Sequence, residues 1–377
     1  MNAKQRTYRA TGINLKGMPM GESDRLVTVL TKEHGLVRAI APGARKHKSR
    51  LAGRSGLFVV NDGLFTRGKS IDKLIQAETL KSFPGLSRDL AKLTASQYLA
   101  EVALAQALTN QPQEELYYLL VEHLGRIEAA DKPNVLACLA QATFHLLALA
   151  GVAPEVFRCC LSREPLTIEL GNPDWQVGFS ISSGGAVAPE EIARLERDRL
   201  AAIKRRLHER NRDLMTADRP LVAESAGTYP GSTKKDGSDS AGDETTIESS
   251  PQTPPLSPSL QKQFRGLQTK VPKDVARELG IVTYLSAAEL ALMQQLSKPE
   301  LVLTAASARS TQHFTQQERS LLGSKSGTIK QVATQAGFST GSGPHLMWRH
   351  IEKALRQYVQ YQFDRPIRSA ALIDTCL

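Results

Sequence analysis

The densest chemistry in this sequence is cationic. Arg38, Arg45, Lys46, Lys48, Arg50 and Arg54 lie close together, and no Asp or Glu occurs from Gly35 to Ser55. Pro42-Gly43 reads as the end of a strand that places Arg45 to Arg50 on an exposed loop. Guanidinium and ammonium groups on such a loop can lie along phosphates and release their counterions. Gly43, Ala44 and Ser49 are small enough to let another backbone approach. With no acids to balance it, the run reads as a nucleic-acid contact rather than a solvated loop. The six cations are the candidate site residues. No recognition helix or zinc finger accompanies them, so binding without base specificity is expected. Of the nearby aromatics, Tyr8 sits in a candidate strand and could stack a base. Phe58 and Phe65 read as core.

Catalytic and metal chemistry have no comparable signal. Gly323-Ser324-Lys325-Ser326 lacks the spacing and the preceding strand of a phosphate-binding loop. Gly178-Phe179-Ser180-Ile181-Ser182 lacks the closing glycine of a nucleophile elbow. There is no acidic cluster for Mg²⁺, and Glu190-Glu191 suits the positive end of a helix. Four cysteines, Cys138, Cys159, Cys160 and Cys376, make no disulfide framework in 377 residues. Cys159 and Cys160 are adjacent, without the paired spacing of a zinc site. Ile329–Ala336 followed by Gly337-Phe338-Ser339 could pass for half of a helix-turn-helix, but too many glycines follow. A non-enzymatic protein with neither cofactor nor metal is expected.

Net charge is +10. Residues 1–82 hold 16 Lys and Arg against 6 Asp and Glu, which equals the excess of the whole chain. The positive field therefore belongs to a small N-terminal unit, and the remainder reads as neutral overall. No apolar run approaches the roughly 20 residues of a membrane span, and Met1–Ala10 is polar and basic. A cytoplasmic protein without membrane contact is expected.

The elements that must position the cations are short strands. Thr7–Leu15, Asp24–Thr31, Leu36–Ala41, Leu57–Val60 and Ile71–Ser82 are the candidates. Gly17-Met18-Pro19, His34-Gly35, Pro42-Gly43 and Asn61-Asp62-Gly63 read as the turns between them. Five short strands suggest a small barrel, OB-like or SH3-like. Helical spacing begins after Leu86 and runs through Leu90–Leu108, Glu114–Ala129 and Asn134–Ala150, as antiparallel neighbours of a bundle. Residues 155–190 read as irregular and Glu190–Leu214 as a charged helix. Glu224–Ser259 has almost nothing to bury and reads as a disordered linker. Helices return at Ala287–Leu296 and His345–Phe363, around a Gly/Ser-rich piece at 322–344. The fold class expected is α+β: an N-terminal small β-barrel, which a family resemblance makes OB-fold-like, then a mainly helical domain with an irregular small lobe. The partition is 1–82 barrel, 83–222 helical with the lobe at 155–190, 223–269 linker or insertion, and 270–377 the rest of the helical domain.

Glu22-Ser23-Asp24 and the stretch from Val29 to Arg45 resemble the opening of the bacterial RecO family of recombination mediators. The likeness resumes at Gly151-Val152-Ala153-Pro154, at Phe179 with Gly184-Gly185, and from Arg356 to Ile373. It covers most of the chain except about 224–270 and 305–345. The resemblance implies an OB-fold on a helical domain, binding of single- and double-stranded DNA, and annealing of complementary strands. It implies partnership with RecR and with the C-terminal tail of single-stranded DNA-binding protein, and indirectly with RecA. Many relatives hold zinc with four cysteines around a small lobe; here only Cys159 falls on a ligand position, with Ser162, Ala186 and Pro189 at the others. Without the resemblance, an RNA-binding regulator or a nucleic-acid enzyme with an unrecognised site remains an alternative.

Overall fold

The computed structural model describes residues 7–217, 256–299 and 344–377. The described chain falls into two units, residues 1–191 with 279–377, and residues 192–278.

The first unit opens with β1 (Thr7–Met20), β2 (Asp24–Thr31), β3 (Gly35–Ala41), the short helix α1 (Leu51–Arg54), β4 (Val60–Thr66) and β5 (Asp72–Lys81). These strands close into a barrel in the order β1-β2-β3-β5-β4, with β3 and β5 parallel and the other pairs antiparallel. Closure depends on β1 pairing with both β2 and β4. The strand shifts register between Asn14 and Lys16, and such a bulge bends a strand and increases its twist. The bend is held by the buried Asn14, whose Nδ2 donates to the carbonyls of Arg54 (2.8 Å) and Gly56 (2.9 Å). Small and β-branched side chains fill the interior: Ala10, Val27, Val29, Val37, Ala39 and Ala77, with Phe65 and Leu74.

Two turn expectations fail here. Gly17-Met18-Pro19 continues β1, and the chain reverses at residues 21–23 instead. Asn61-Asp62-Gly63 lies inside β4, so that strand runs from Val60 to Thr66 rather than from Leu57 to Val60. The glycine is there for space, since a Cβ at Gly63 would sit 2.7 Å from the Phe65 ring. Asn61 is buried and bonded through both ends of its amide, to the Arg54 carbonyl (2.8 Å) and the Thr79 hydroxyl (3.1 Å). Tertiary packing overrides local turn chemistry at this point.

After β5 come α2 (Leu90–Gln106), α3 (Glu114–Ala129) and α4 (Val135–Leu149). Asp89 caps α2 by accepting from the backbone N–H groups of Ala91 and Lys92. Helix α4 is buried on nearly every side, because α2, α3 and the C-terminal α9 (Pro344–Phe363) surround it. Barrel residues Ile13, Leu15, Leu30, Phe58 and Val60 belong to the same apolar cluster as these helices. Gly35 is where the β2–β3 hairpin meets the segment between α2 and α3. Its φ is +63°, and the Leu36 N–H donates to the Leu108 carbonyl at 2.8 Å.

The stretch 155–190, expected to be irregular, contributes β6 (Gln176–Ser180) and β7 (Gly185–Val187). Strand β8 (Ile281–Ser286), whose Ile-Val-Thr-Tyr run favours a strand, pairs with the other edge of β6. Helix α8 (Ala287–Gln295) follows behind a capping box formed by Ser286 and Glu289. Helix α9 carries two buried charges. Arg356 donates twice to Asp374 of α10 (Ala370–Cys376), at 2.6 and 3.0 Å, and Glu352 lies 3.2 Å from its Nε. Burial pushes the Glu352 carboxyl up to about 7, against the pull of Arg356.

The second unit contains most of α5 (Pro189–Ala217), then α6 (Pro258–Gln268) and α7 (Val271–Glu278). Glu190 and Glu191 do occupy the first turn of α5. Helix α6 falls within the range read as linker; Leu260, Phe264 and Leu267 give it an apolar stripe at helical spacing. The rest of that linker, most of the Gly/Ser-rich 322–344 stretch and the helix-turn-helix candidate lie outside the described residues. Among the described residues no helix is long and apolar enough to cross a membrane.

Candidate nucleic-acid interface

The cationic loop joins β3 to α1. Its ends are pinned by Ala44 and Leu51, whose side chains enter the barrel core. Between them Arg45, Lys46, Lys48 and Arg50 are exposed. The loop is tied to the β1–β2 turn. The Gly43 N–H donates to Asp24 Oδ1 at 2.8 Å, and the Arg45 N–H donates to the Ser23 carbonyl at 2.9 Å. The Gly43 N–H, the Ser23 hydroxyl and the cations of Lys46 and Lys73 hold the Asp24 carboxyl below its usual range.

The structure separates the six sequence-derived residues. Arg38 is exposed on the outer face of β3, opposite Thr28 of β2. Lys46, Lys48 and Arg50 project from the loop as expected. Arg45 is exposed too, but its Nη1 donates to the Gly21 carbonyl at 2.8 Å, so it braces the two loops. Arg54 is half-buried at the end of α1, and its carbonyl anchors Asn14 and Asn61.

Three further cations join this face, and the run had not pointed to them. The parallel pairing of β3 with β5 sets Ile40 beside Lys73, which is exposed and close enough to Asp24 to lower its pKa. The β4–β5 loop adds Arg67 and Lys69, both exposed. Apart from the exposed Glu22 of the β1–β2 turn, the nearest carboxylates are largely committed. Asp24 accepts from Gly43 and Ser23, Asp72 accepts from the Gly68 N–H and the Tyr8 hydroxyl, and Asp62 pairs with Arg9 at 2.8 Å. Cations thus outnumber unengaged acids across a face made by one loop, two strands and a second loop.

Tyr8 is not open for stacking. Its ring lies on Phe65, with centroids 5.3 Å apart, meets His34 edge-on, and has the Arg67 guanidinium 4.9 Å from its centroid. Burial, with the bond to Asp72, raises its hydroxyl well above the ordinary value. Phe58 and Phe65 are core, as read from sequence.

The zinc lobe of the resembling family does not fit here. Cys159 is buried and accepts the Ala188 N–H at 3.3 Å; burial opposes its ionisation, but N–H donors at Ala188, Ser162 and Leu161 bring its pKa below the usual thiol value. Among the described residues no three His, Cys, Asp or Glu side chains gather as a metal site.

A second surface of the same unit is a cleft of about 540 Å³, floored by Leu57, Leu104 and Ile367. The exposed cations Lys16, Arg365 and Arg368 line it as well. Its acid, Glu101, is occupied by the backbone N–H groups of Arg368 (2.6 Å) and Ser369 (3.4 Å).

Comparison with known proteins bears directly on this arrangement. Residues 4–83 match the family described as "Recombination protein O N terminal", and residues 87–218 match "Recombination protein O C terminal". A protein named DNA repair protein RecO from Nostoc sp. is 42% identical over 373 residues, covering 98% of this chain and 96% of that protein. One of the same name from Acaryochloris marina is 42% identical over 371 residues, 98% of this chain and 95% of its own length. Another, from Gloeothece citriformis, reaches 67% identity over 183 residues, 48% of this chain and 65% of that protein.

Proposed function

The chain belongs to the recombination protein O family of DNA repair proteins, and from that membership we propose a mediator that binds single- and double-stranded DNA and anneals complementary strands. The observation that carries the reading is the cationic barrel face. Arg38, Lys46, Lys48 and Arg50, with Lys73 beside them, offer phosphate contacts held in place by the Asp24–Gly43 and Arg45–Gly21 bonds. Two strands repel each other through their phosphates, and a surface that displaces their counterions lowers that repulsion and lets bases pair. Nothing in such a step requires a nucleophile or a bound nucleotide.

The cleft supplies a place for a protein partner. Its apolar floor and unneutralised cations suit the acidic C-terminal tail of single-stranded DNA-binding protein, with apolar residues seated and carboxylates facing Lys16, Arg365 and Arg368. With RecR, such docking would help RecA load onto coated single strands.

Two labelled complementary oligonucleotides test the central step. The protein should speed their annealing without nucleotide or divalent metal. The combined Arg38→Ala, Lys46→Ala, Lys48→Ala and Arg50→Ala variant should fall towards the spontaneous rate. Annealing by the variant at the unaltered rate would refute the reading.

A further inference from the structure

The second unit carries a charge that the sequence total conceals. Its described residues, 192–217 and 256–278, hold 13 Lys and Arg against 6 Asp and Glu. The intervening residues 218–255 hold 7 Asp and Glu against 3 Lys and Arg, so a count along the chain does not reveal the excess.

The excess is arranged on a formed surface. Helix α5 buries Ile192 and Leu207 and half-buries Leu195, Leu200 and Ile203, an apolar stripe at helical spacing. Arg197, Lys204 and Arg205 are exposed on the side of the helix away from that stripe, and Arg206 and Arg210 are exposed beside the stripe itself. From Arg197 to Arg205, which share a face with Lys204, the rise is roughly 12 Å at 1.5 Å per residue. That length spans about three to four phosphates of one DNA strand at roughly 3.4 Å per nucleotide. Lys262, Arg265, Lys270 and Lys273 of the α6–α7 segment are exposed too. Two of the six acids are already held by cations, Glu278 by Arg199 and Asp274 by Arg277.

What the unit lacks narrows the ligand. Phe264 is the one aromatic among its described residues, and it is half-buried. Single strands are held by stacking as well as by charge, and no stacking platform exists here. No large apolar side chain from Ile192 to Asp213 or from Leu256 to Glu278 is exposed, so none of them would insert into a lipid surface. A high density of fixed negative charge, recognised through its phosphates alone, describes a duplex.

We propose that the α5–α6–α7 unit is a second nucleic-acid-binding surface, which takes the phosphate backbone of double-stranded DNA without base preference. It goes beyond the barrel reading and is separable from it.

The test uses the full chain with Lys204, Arg205, Arg206 and Arg210 changed to alanine, which favours helix, and in parallel to glutamine. Affinity for a labelled 30-base-pair duplex and for a single strand is measured at several salt concentrations. Each lost contact should flatten the duplex plot of log affinity against log salt by roughly 0.9. The duplex should lose more affinity than the single strand. A variant with Lys at all four positions should retain the original slope, because charge and not packing is at issue. Duplex affinity and slope unchanged in both neutral sets would overturn the proposal, as would loss of binding to polyglutamate with duplex binding intact. An unaffected barrel variant would instead refute the barrel reading and leave this one standing.

Discussion

Removing Arg38, Lys46, Lys48 and Arg50 together takes four exposed cations from the barrel face while leaving the pinned ends of the loop, Ala44 and Leu51, in the core. Each phosphate contact to a single strand contributes roughly 0.7 to the slope of log affinity against log salt, so four contacts contribute about 2.8. Between 50 and 200 mM salt the unaltered protein should then lose roughly 50-fold more affinity than the variant. Exposed substitutions away from packing usually change stability by less than about 0.5 kcal/mol each, so the fold should persist. Arg45→Ala is the contrasting change, because it also removes the bond to the Gly21 carbonyl and should lower stability and affinity together. Fluorescence anisotropy of a labelled oligonucleotide at four salt concentrations gives the slope, and thermal melting gives the stability. A slope unchanged in the quadruple variant would show that these cations do not touch phosphate. The loss should be the same for different base sequences, since phosphates carry no base identity.

Three other expectations concern the fold that holds the site. A Cβ at Gly35 would lie 2.2 Å from the Leu108 carbonyl oxygen and 2.4 Å from that of Gln111, at a φ of +63°. Gly35→Ala should therefore cost more than the roughly 1–2 kcal/mol of the left-handed backbone alone; a denaturation midpoint like that of the unaltered protein would contradict the packing. Glu352, held near 7, binds a proton in the folded state that it has lost in the unfolded state above about 4.5. Its contribution to stability therefore falls as pH rises from about 4.5 to 7, and Glu352→Gln should raise the melting temperature at pH 8 more than at pH 5. The buried His123, whose Nε2 lies 3.0 Å from His145 Nδ1, is pushed down to about 3, by burial first and then by His145 and Arg126. The unfolded chain binds that proton below about 6.5, so stability is lost as pH falls through that range. His123→Gln should lessen the loss; an unaltered difference in melting temperature between pH 7 and pH 5 would contradict the assignment.

Where the determinants were local, the sequence was legible. Strand β2 and helix α3 occupy the ranges expected of them, and α4 differs by one residue at each end, because β-branched runs and apolar spacing need no distant partner. Strand β4 was misplaced because Asn61-Asp62-Gly63 has the composition of a turn, and only the Phe65 ring and the Arg54 carbonyl explain its extended form. Strands β6, β7 and β8 were invisible as a sheet, since β8 joins β6 from about a hundred residues away. The candidate site divides in the same way. Arg38 to Arg50 announce themselves by contiguity, whereas Lys73, Arg67 and Lys69 reach that face through the pairing of β3 with β5 and the β4–β5 loop.

The order β7-β6-β8 also fixes when that sheet can be completed. On a ribosome, β7 is available to β6 within a few residues, but Ile281, the partner of Ser180, is still to be made. At roughly 5–20 residues per second, the hundred-residue wait lasts on the order of 5–20 s. Throughout it Val177 and Phe179, fully buried in the finished protein, belong to a strand with one unpaired edge. An unpaired apolar edge is a template for another chain's strand. The nascent protein is therefore most exposed to mispairing in the middle of its own synthesis, and slowing translation between codons 187 and 281 should lengthen that exposure and lower the yield of folded chain.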